Sequence, residues 1–340
     1  MKTLPLRLAL ALGLLGSSTA SLYADVTVRL SVKFILSSTG THPSGNAGTL
    51  ALFQAEVDRG NAILAATGRG YRMQIVESFD IQPPAPAGQP ANYWFDLPAR
   101  SNRSTFENAA TANTALWRWS TTAINFHVNG SSSGQCSFVG NGNSISLGDS
   151  IGTGTVLHEI GHFFNLNHTH AGDYGDNPST PPYDSGDLAD GDGLSQTAND
   201  NPNITNHDQL SVALFGHNYA AATAGERLAV DSSFENVMSY HNEDQLLPIQ
   251  MDIWTQNANI GRINFVNART WFVSTSGADV FFNGLSASQP FATVNRAVTA
   301  VSSGNDIILL RGGNFARPTG GTITKACTLR ASSTSTIGLP

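Results

Sequence analysis

Val28, Leu30, Val32, Phe34 and Leu36 alternate with polar residues, the period of a half-buried β-strand. Leu50, Phe53, Val57, Gly60 and Leu64 then recur at helical spacing, and Gly68 stands where a helix C-terminus is capped. Met73 and Ile75 predict a second strand, and the proline-rich run from Ile81 to Pro90 predicts a loop. A second helix is expected from Phe106 to Trp119. Short strands follow at Ile124, Phe126 and Val128 and at Ile145 and Leu147. From Thr155 to Phe164 the pattern is helical again, with Val156, Ile160 and Phe163 on one face. This order of strands and helices predicts an α+β fold built on a twisted mixed sheet.

Residues 171–202 form a long Gly/Asp/Pro/Ser-rich stretch without apolar periodicity, and loops of that length usually serve a function or lack order. After Ala268 the character changes. Trp271–Ser274 reads as a strand, and Phe291, Val294, Val298 and Val301 read as a helix. Ile307–Leu310, Thr322–Thr324 and Thr328–Leu329 read as short strands. The division expected is therefore residues 25–268 for one domain and 269–340 for a small β-rich module.

Residues 1–24 look like an export signal. Lys2 and Arg7 precede an apolar run from Leu8 to Gly16, with small residues after it. That run is shorter than the ~20 residues a membrane span needs, so the expected protein is secreted, extracellular or periplasmic. Net charge is −7, and loss of Lys2 and Arg7 leaves 16 basic side chains against 25 acidic ones. Such a chain is a poor partner for phosphate backbones, so nucleic acid is excluded. Two cysteines, Cys136 and Cys327, either pair or sit as small core residues.

The chemistry concentrates in one run: His158-Glu159-Ile160-Gly161-His162-Phe163-Phe164-Asn165-Leu166-Asn167-His168. On a helix, His158 and His162 lie one turn apart and point the same way, so two imidazoles can hold one cation. Nitrogen ligands in that number suit zinc, with His168 returning as third ligand and one position left for water. Glu159 is then placed to take a proton from water. A different reading recruits Glu226 or Glu235 as third ligand in place of His168. His42, His127, His207, His217 and His241 lack ligand spacing, and His170 reads as a surface residue or a support to the site.

This run resembles the HExxHxxGxxH signature of metzincin metallopeptidases, more narrowly of the pappalysin-type family. The later Asn236-Val237-Met238-Ser239-Tyr240 resembles that family's Met-turn. The resemblance implies a metzincin-like catalytic domain, a zinc-dependent endopeptidase acting on protein or peptide. It further implies that Met238 forms an apolar floor beneath the histidines and that Tyr240 steadies the oxyanion. Asn165 stands where the signature has glycine. Asparagine is the next residue to tolerate a left-handed backbone, so the turn is expected to survive.

Asp173, Asp176, Asp190 and Asp192 gather hard oxygen ligands in the long loop. Asp190-Gly191-Asp192 resembles a segment that binds calcium in some pappalysin-type enzymes, while a solvated acidic loop is the plainer reading. The tail resembles the opening of a pectin-lyase-like parallel β-helix; a small β-sandwich-like appendage is the other reading. Its strand edges are expected to dock a surface or partner. An adhesion or glycan-binding protein on a protease-like scaffold is the alternative function, and an interrupted zinc motif would be its mark.

Overall fold

Strand β1 (Val26–Ile35) lies inside a five-stranded sheet of order β2-β1-β3-β5-β4. The computed structural model describes residues 26–132, 134–136, 142–169, 194, 197, 200, 204–241, 244–318 and 322–338. Strands β2 (Tyr71–Ile81), β3 (Ile124–Ser132) and β5 (Ser144–Ser150) run parallel to β1, and β4 (Gly134–Cys136) closes one edge antiparallel to β5. The fold is thus a mixed α/β sheet domain, and the antiparallel strand is its edge.

Helix α1 (Leu50–Ala66) covers one face of the sheet. Thr49 caps its first turn, and Gly68 follows its last at φ 67°. Val28, Leu30, Val32 and Phe34 of β1 pack on that side with Phe53, Val57 and Leu64. The opposite face was expected to meet solvent. Instead a short helix α2 (Tyr93–Asp96) and helix α3 (Ala99–Ala112) cover it, with Trp94, Phe106, Ala110 and Trp117 against Ile35 and Ile81. Parallel sheets are usually covered on both sides.

Here the expected helix from Phe106 to Trp119 is corrected. The helix begins at Ala99, directly after Pro98, and ends at Asn113, whose φ of −142° leaves helical space. Trp117 and Trp119 follow in a turn and still reach the core, ringing His127 with Phe106. This covered face buries two titratable groups. Lys33 donates to Ser31 Oγ at 2.5 Å and to Asn125 Oδ1 at 2.6 Å, and burial pulls its ammonium down to about 7. His127, its neighbour in register, is driven by burial, and secondarily by Lys33, down to about 3.

After the sheet come helices α4 (Thr155–Phe163), α5 (His207–Phe215), α6 (Ala224–Phe234) and α7 (Pro248–Asn259). The last three were absent from the sequence reading. The tail carries β6 (Thr270–Val273), helix α8 (Val294–Ala300), β7 (Ile307–Ala316) and β8 (Thr328–Gly338). Its strands form one parallel sheet, in place of the two packed sheets of a sandwich. Four features differ from expectation. Phe291 hydrogen-bonds with Phe272 instead of joining α8, residues 322–324 form no strand, β7 runs on to Ala316 and β8 to Gly338. Trp271, Phe291, Val294, Val298, Ile308 and Leu310 give the tail its own core, while Ile307 belongs to the core of the larger domain.

Cys327 carries a free thiol, and burial raises its pKa. The side chain of Cys136 lies outside the description. Among the described residues, no helix is long and apolar enough to cross a membrane. The residues read as an export signal lie outside the described set.

Candidate metal centre

Helix α4 is held at both ends by opposite charges. Gly154 N–H at its start donates to Glu56 Oε2 of α1 at 2.8 Å. At its end the Arg262 guanidinium donates to the Phe163 carbonyl at 3.2 Å and stacks 3.8 Å from the Phe163 ring. An anion at the N-terminus and a cation at the C-terminus both complement the helix dipole. The turn that follows is tight. Asn165 takes φ 70°, as expected for the signature's glycine position, and Leu166 N–H returns to the Gly161 carbonyl at 3.0 Å. The chain thereby doubles back and brings His168 over His158 and His162.

The three imidazoles converge. His168 Nε2 lies 2.9 Å from His162 Nε2 and 3.1 Å from His158 Nε2. The tautomers of the two helical histidines follow from their partners. His158 Nδ1 meets the Val237 carbonyl, and His162 Nδ1 meets the Leu166 carbonyl, each at 2.7 Å. A carbonyl only accepts, so each Nδ1 carries its proton and each neutral ring presents an Nε2 lone pair to the centre. Lone pairs aimed at one another repel unless a cation lies between them. Carbonyl bonds on the far nitrogens are also what orients metal-ligating histidines. The donor set fits zinc: three nitrogens and an open side. Neither Glu226 nor Glu235 joins the group, so the reading with a glutamate ligand is corrected. Glu226 closes the capping box of α6, and Glu235 faces His207.

Glu159 projects from α4 towards the edge strand β4. A Cβ added at Gly134 would stand 2.9 Å from Glu159 Oε1, so a bare backbone at Gly134 gives the carboxylate its room. Met238 is fully buried against Gly161. Its turn is framed by Asn236, whose Oδ1 accepts from Met238 N–H at 2.9 Å and whose side-chain amide pairs reciprocally with Gln250. Tyr240 is 46 % exposed, with its ring 4.9 Å from that of His168 and 5.9 Å from that of His158. It stands at the open side of the histidine group.

Two residues of this surround have structural tasks that the sequence did not announce, Asp200 having read only as one more carboxylate of the acidic loop. Asp200 is fully buried, accepting from Thr169 Oγ1 at 2.9 Å and pairing with His241 Nε2 at 2.8 Å. It fastens the segment after His168 to the segment after Tyr240. His241 stacks on Phe234 at 4.4 Å, a structural task with no ligand spacing to announce it. Asp173, Asp176, Asp190, Asp192 and His170 lie outside the described residues, so the calcium expectation finds no geometry here.

The fold and site together define a mixed α/β protein with a three-histidine centre, two of its rings buried and the third half-buried, beside a glutamate. No family model matches the sequence, and no curated protein matches it. Among solved structures the chain is similar to mature mirolysin of Tannerella forsythia, solved in complex with a cleaved peptide. Identity is 12 %, the TM-score is 0.39, and the match covers 71 % of this chain and 95 % of that one. So distant a likeness leaves function to be read from the side chains themselves.

Proposed function

We propose that this chain is an exported zinc-dependent endopeptidase, with the pappalysin-type resemblance of its motifs as the family reading. One observation carries it. The Nε2 atoms of His158 and His162 both lie within 3.1 Å of His168 Nε2, while carbonyls hold the outer nitrogens of both helical histidines. His158, His162 and His168 would hold the ion. Zinc, when bound, makes water more acidic and polarises a carbonyl.

The protein's own groups then have separable tasks. Glu159, on the same helix and facing β4, takes the proton of the attacking water and passes it to the departing amine as the C–N bond breaks. Tyr240 donates its phenolic proton in a hydrogen bond to the carbonyl oxygen as negative charge collects there. β4 is an edge strand beside Glu159, and an extended peptide adds naturally to such an edge by main-chain hydrogen bonds. Intact Glu159 beside an intact triad argues against a purely adhesive scaffold, which has no use for a base at that position.

The test pairs metal content with turnover. Purified protein is expected to hold zinc at the triad and to cleave a peptide mixture. Glu159→Gln should keep that zinc and lose about 10²–10⁴-fold in turnover. Undiminished turnover in the variant would remove Glu159 from the mechanism. Absence of metal-dependent cleavage in the parent chain would overturn the reading altogether.

A further inference from the structure

Away from the triad, α5 and α6 bring together a second set of ligand-type side chains. His207 opens α5; Asp231 and Glu235 stand one turn apart at the end of α6. Their donor atoms all lie within 4.8 Å of one another. His207 Nε2 is 3.4 Å from Glu235 Oε1 and 3.8 Å from Asp231 Oδ1.

A charge-assisted hydrogen bond closes to about 2.7–2.9 Å, as His241 and Asp200 do at 2.8 Å. Two ligands each about 2.1 Å from a tetrahedral ion stand about 3.4 Å apart. His207 and Glu235 stand at that spacing, with Asp231 slightly farther off.

Electrostatics asks for a cation at the same place. Asp231 and Glu235 are like charges at i and i+4, which repel across one turn. They lie at the helix C-terminus, where the dipole disfavours anions, and the last turn of α6 holds no basic residue. The surroundings hold the ligands in place. Tyr219 O–H donates to Asp231 Oδ1 at 2.8 Å, and the His207 ring packs 4.3 Å from Phe234. A cleft of about 430 Å³, lined by Asn206, His207, Asp208, Tyr219 and Glu235, opens on the group and admits water to complete a coordination shell.

We propose that His207, Asp231 and Glu235 form a second metal site, for a divalent ion of zinc's type, separate from the three-histidine centre. One imidazole with two carboxylates suits such an ion better than calcium, which prefers oxygen alone. The ion pins the start of α5 to the end of α6. Glu235 is followed directly by Asn236 and Val237, and the Val237 carbonyl holds His158 Nδ1. The second ion therefore steadies the turn that orients a triad ligand.

Co²⁺, whose visible spectrum reports its ligands, is the probe. The full chain is stripped with a chelator and titrated, alongside His207→Ala, Glu235→Gln and His162→Gln. Two binding events are expected in the parent chain. His207→Ala and Glu235→Gln should each lose or weaken one of them at least tenfold, together with part of the metal-induced rise in Tm. His162→Gln should keep the event that depends on His207. Failure of the three-histidine reading would thus erase the other event and leave this one. If His207→Ala does not fold, Glu235→Gln decides, being near-isosteric and partly exposed. Equal Co²⁺ equivalents, affinities and Tm shifts in the parent and Glu235→Gln would overturn the proposal.

Discussion

Met238 Sδ rests on the α-carbon of Gly161, midway along the motif on α4. A Cβ at Gly161 would overlap that sulfur and come within 3.3 Å of Met238 Cε and 3.5 Å of Leu166 Cδ1. The glycine is therefore a packing requirement in a helix that would otherwise gain from alanine by about 1 kcal/mol. Gly161→Ala is expected to be destabilising despite that gain, since overpacking a filled core costs about 1–3 kcal/mol. It should also weaken zinc retention, because the displaced turn carries the Val237 carbonyl. Thermal unfolding and metal content measure both. A variant as stable and as metal-retentive as the parent would mean that the methionine yields freely.

Asn165 allows the backbone contribution to be isolated. It is exposed, so its side chain packs little, and φ 70° is its distinguishing feature. Asn165→Gly should be close to neutral. Asn165→Ala should be destabilising by less than the full penalty of about 1–2 kcal/mol for a Cβ in the left-handed region. Alanine keeps the Cβ and loses only the local hydrogen bonding of asparagine's short polar side chain. Urea unfolding of the three chains checks the order, and equal midpoints would remove the strain argument.

The contrast between these neighbours and α3 shows what was legible. Local pattern identified β1, α1, β3, β5 and α4, and the i, i+4 histidines identified the centre, because each signal lies within one element. Asn165 was legible as a left-handed residue for the same reason. The end of α3 was misread because Trp117 and Trp119 continue an apolar rhythm that the folded chain satisfies from a turn. The start of α6 does carry a local signal, the capping box of Thr223 and Glu226. Asp200 with His241 and Asn236 with Gln250 are pairings across the fold, and no spacing announces them. The same holds for His207, which looks ordinary until α6 places two carboxylates beside it.

Tyr240 stands 4.9 Å, ring to ring, from His168 and is open to solvent, so its removal should disturb little structure. Tyr240→Phe is expected to lower kcat more than it raises KM, because its hydrogen bond strengthens only as charge develops. The loss should be about 10²–10³-fold in kcat if it behaves as other oxyanion donors do. Steady-state kinetics on one peptide separates the two constants. Unchanged kcat would leave Tyr240 as a rim residue.

Lys33 and His127 predict how stability varies with pH. Burial lowers both folded-state values, Lys33 to about 7 and His127 to about 3. Between about 7 and 10.5 the unfolded chain holds the Lys33 proton and the folded chain releases it, so stability from this group rises with pH. Between 6.5 and about 3 the unfolded chain protonates the histidine first, so stability falls as pH falls. Each slope approaches about 1.4 kcal/mol per pH unit within its window. Lys33→Met should flatten the upper window and raise stability at pH 7. Asn125 Oδ1 would still accept from Ser120 N–H at 2.8 Å. Urea midpoints at pH 7 and pH 9 test this, and parallel pH profiles for variant and parent would contradict it.

The tail is joined to the larger domain through charge as well as apolar contact. Asp252 of α7 lies 2.9 Å from Arg69 and 2.7 Å from Arg311 of β7, and Arg69 and Asp252 are largely buried. Asn259 of the same helix donates to the carbonyls of Thr270 at 2.7 Å and Leu285 at 2.9 Å. A chain ending at Ala268 keeps the triad, Glu159, Met238 and Tyr240, so it is expected to bind zinc and cleave a small peptide. It loses Arg311, Ile307 and the partners of Asn259, so its Tm should fall below that of the full chain. Two point variants separate the ionic part. Arg311→Ala leaves Asp252 paired with Arg69 and should cost little. Asp252→Asn leaves two arginines facing each other, one of them buried, and should cost more, up to about 3–5 kcal/mol. Calorimetry of the three chains beside the parent checks the order. An unchanged Tm on truncation would make the tail a passenger, and loss of zinc binding would make it part of the larger domain.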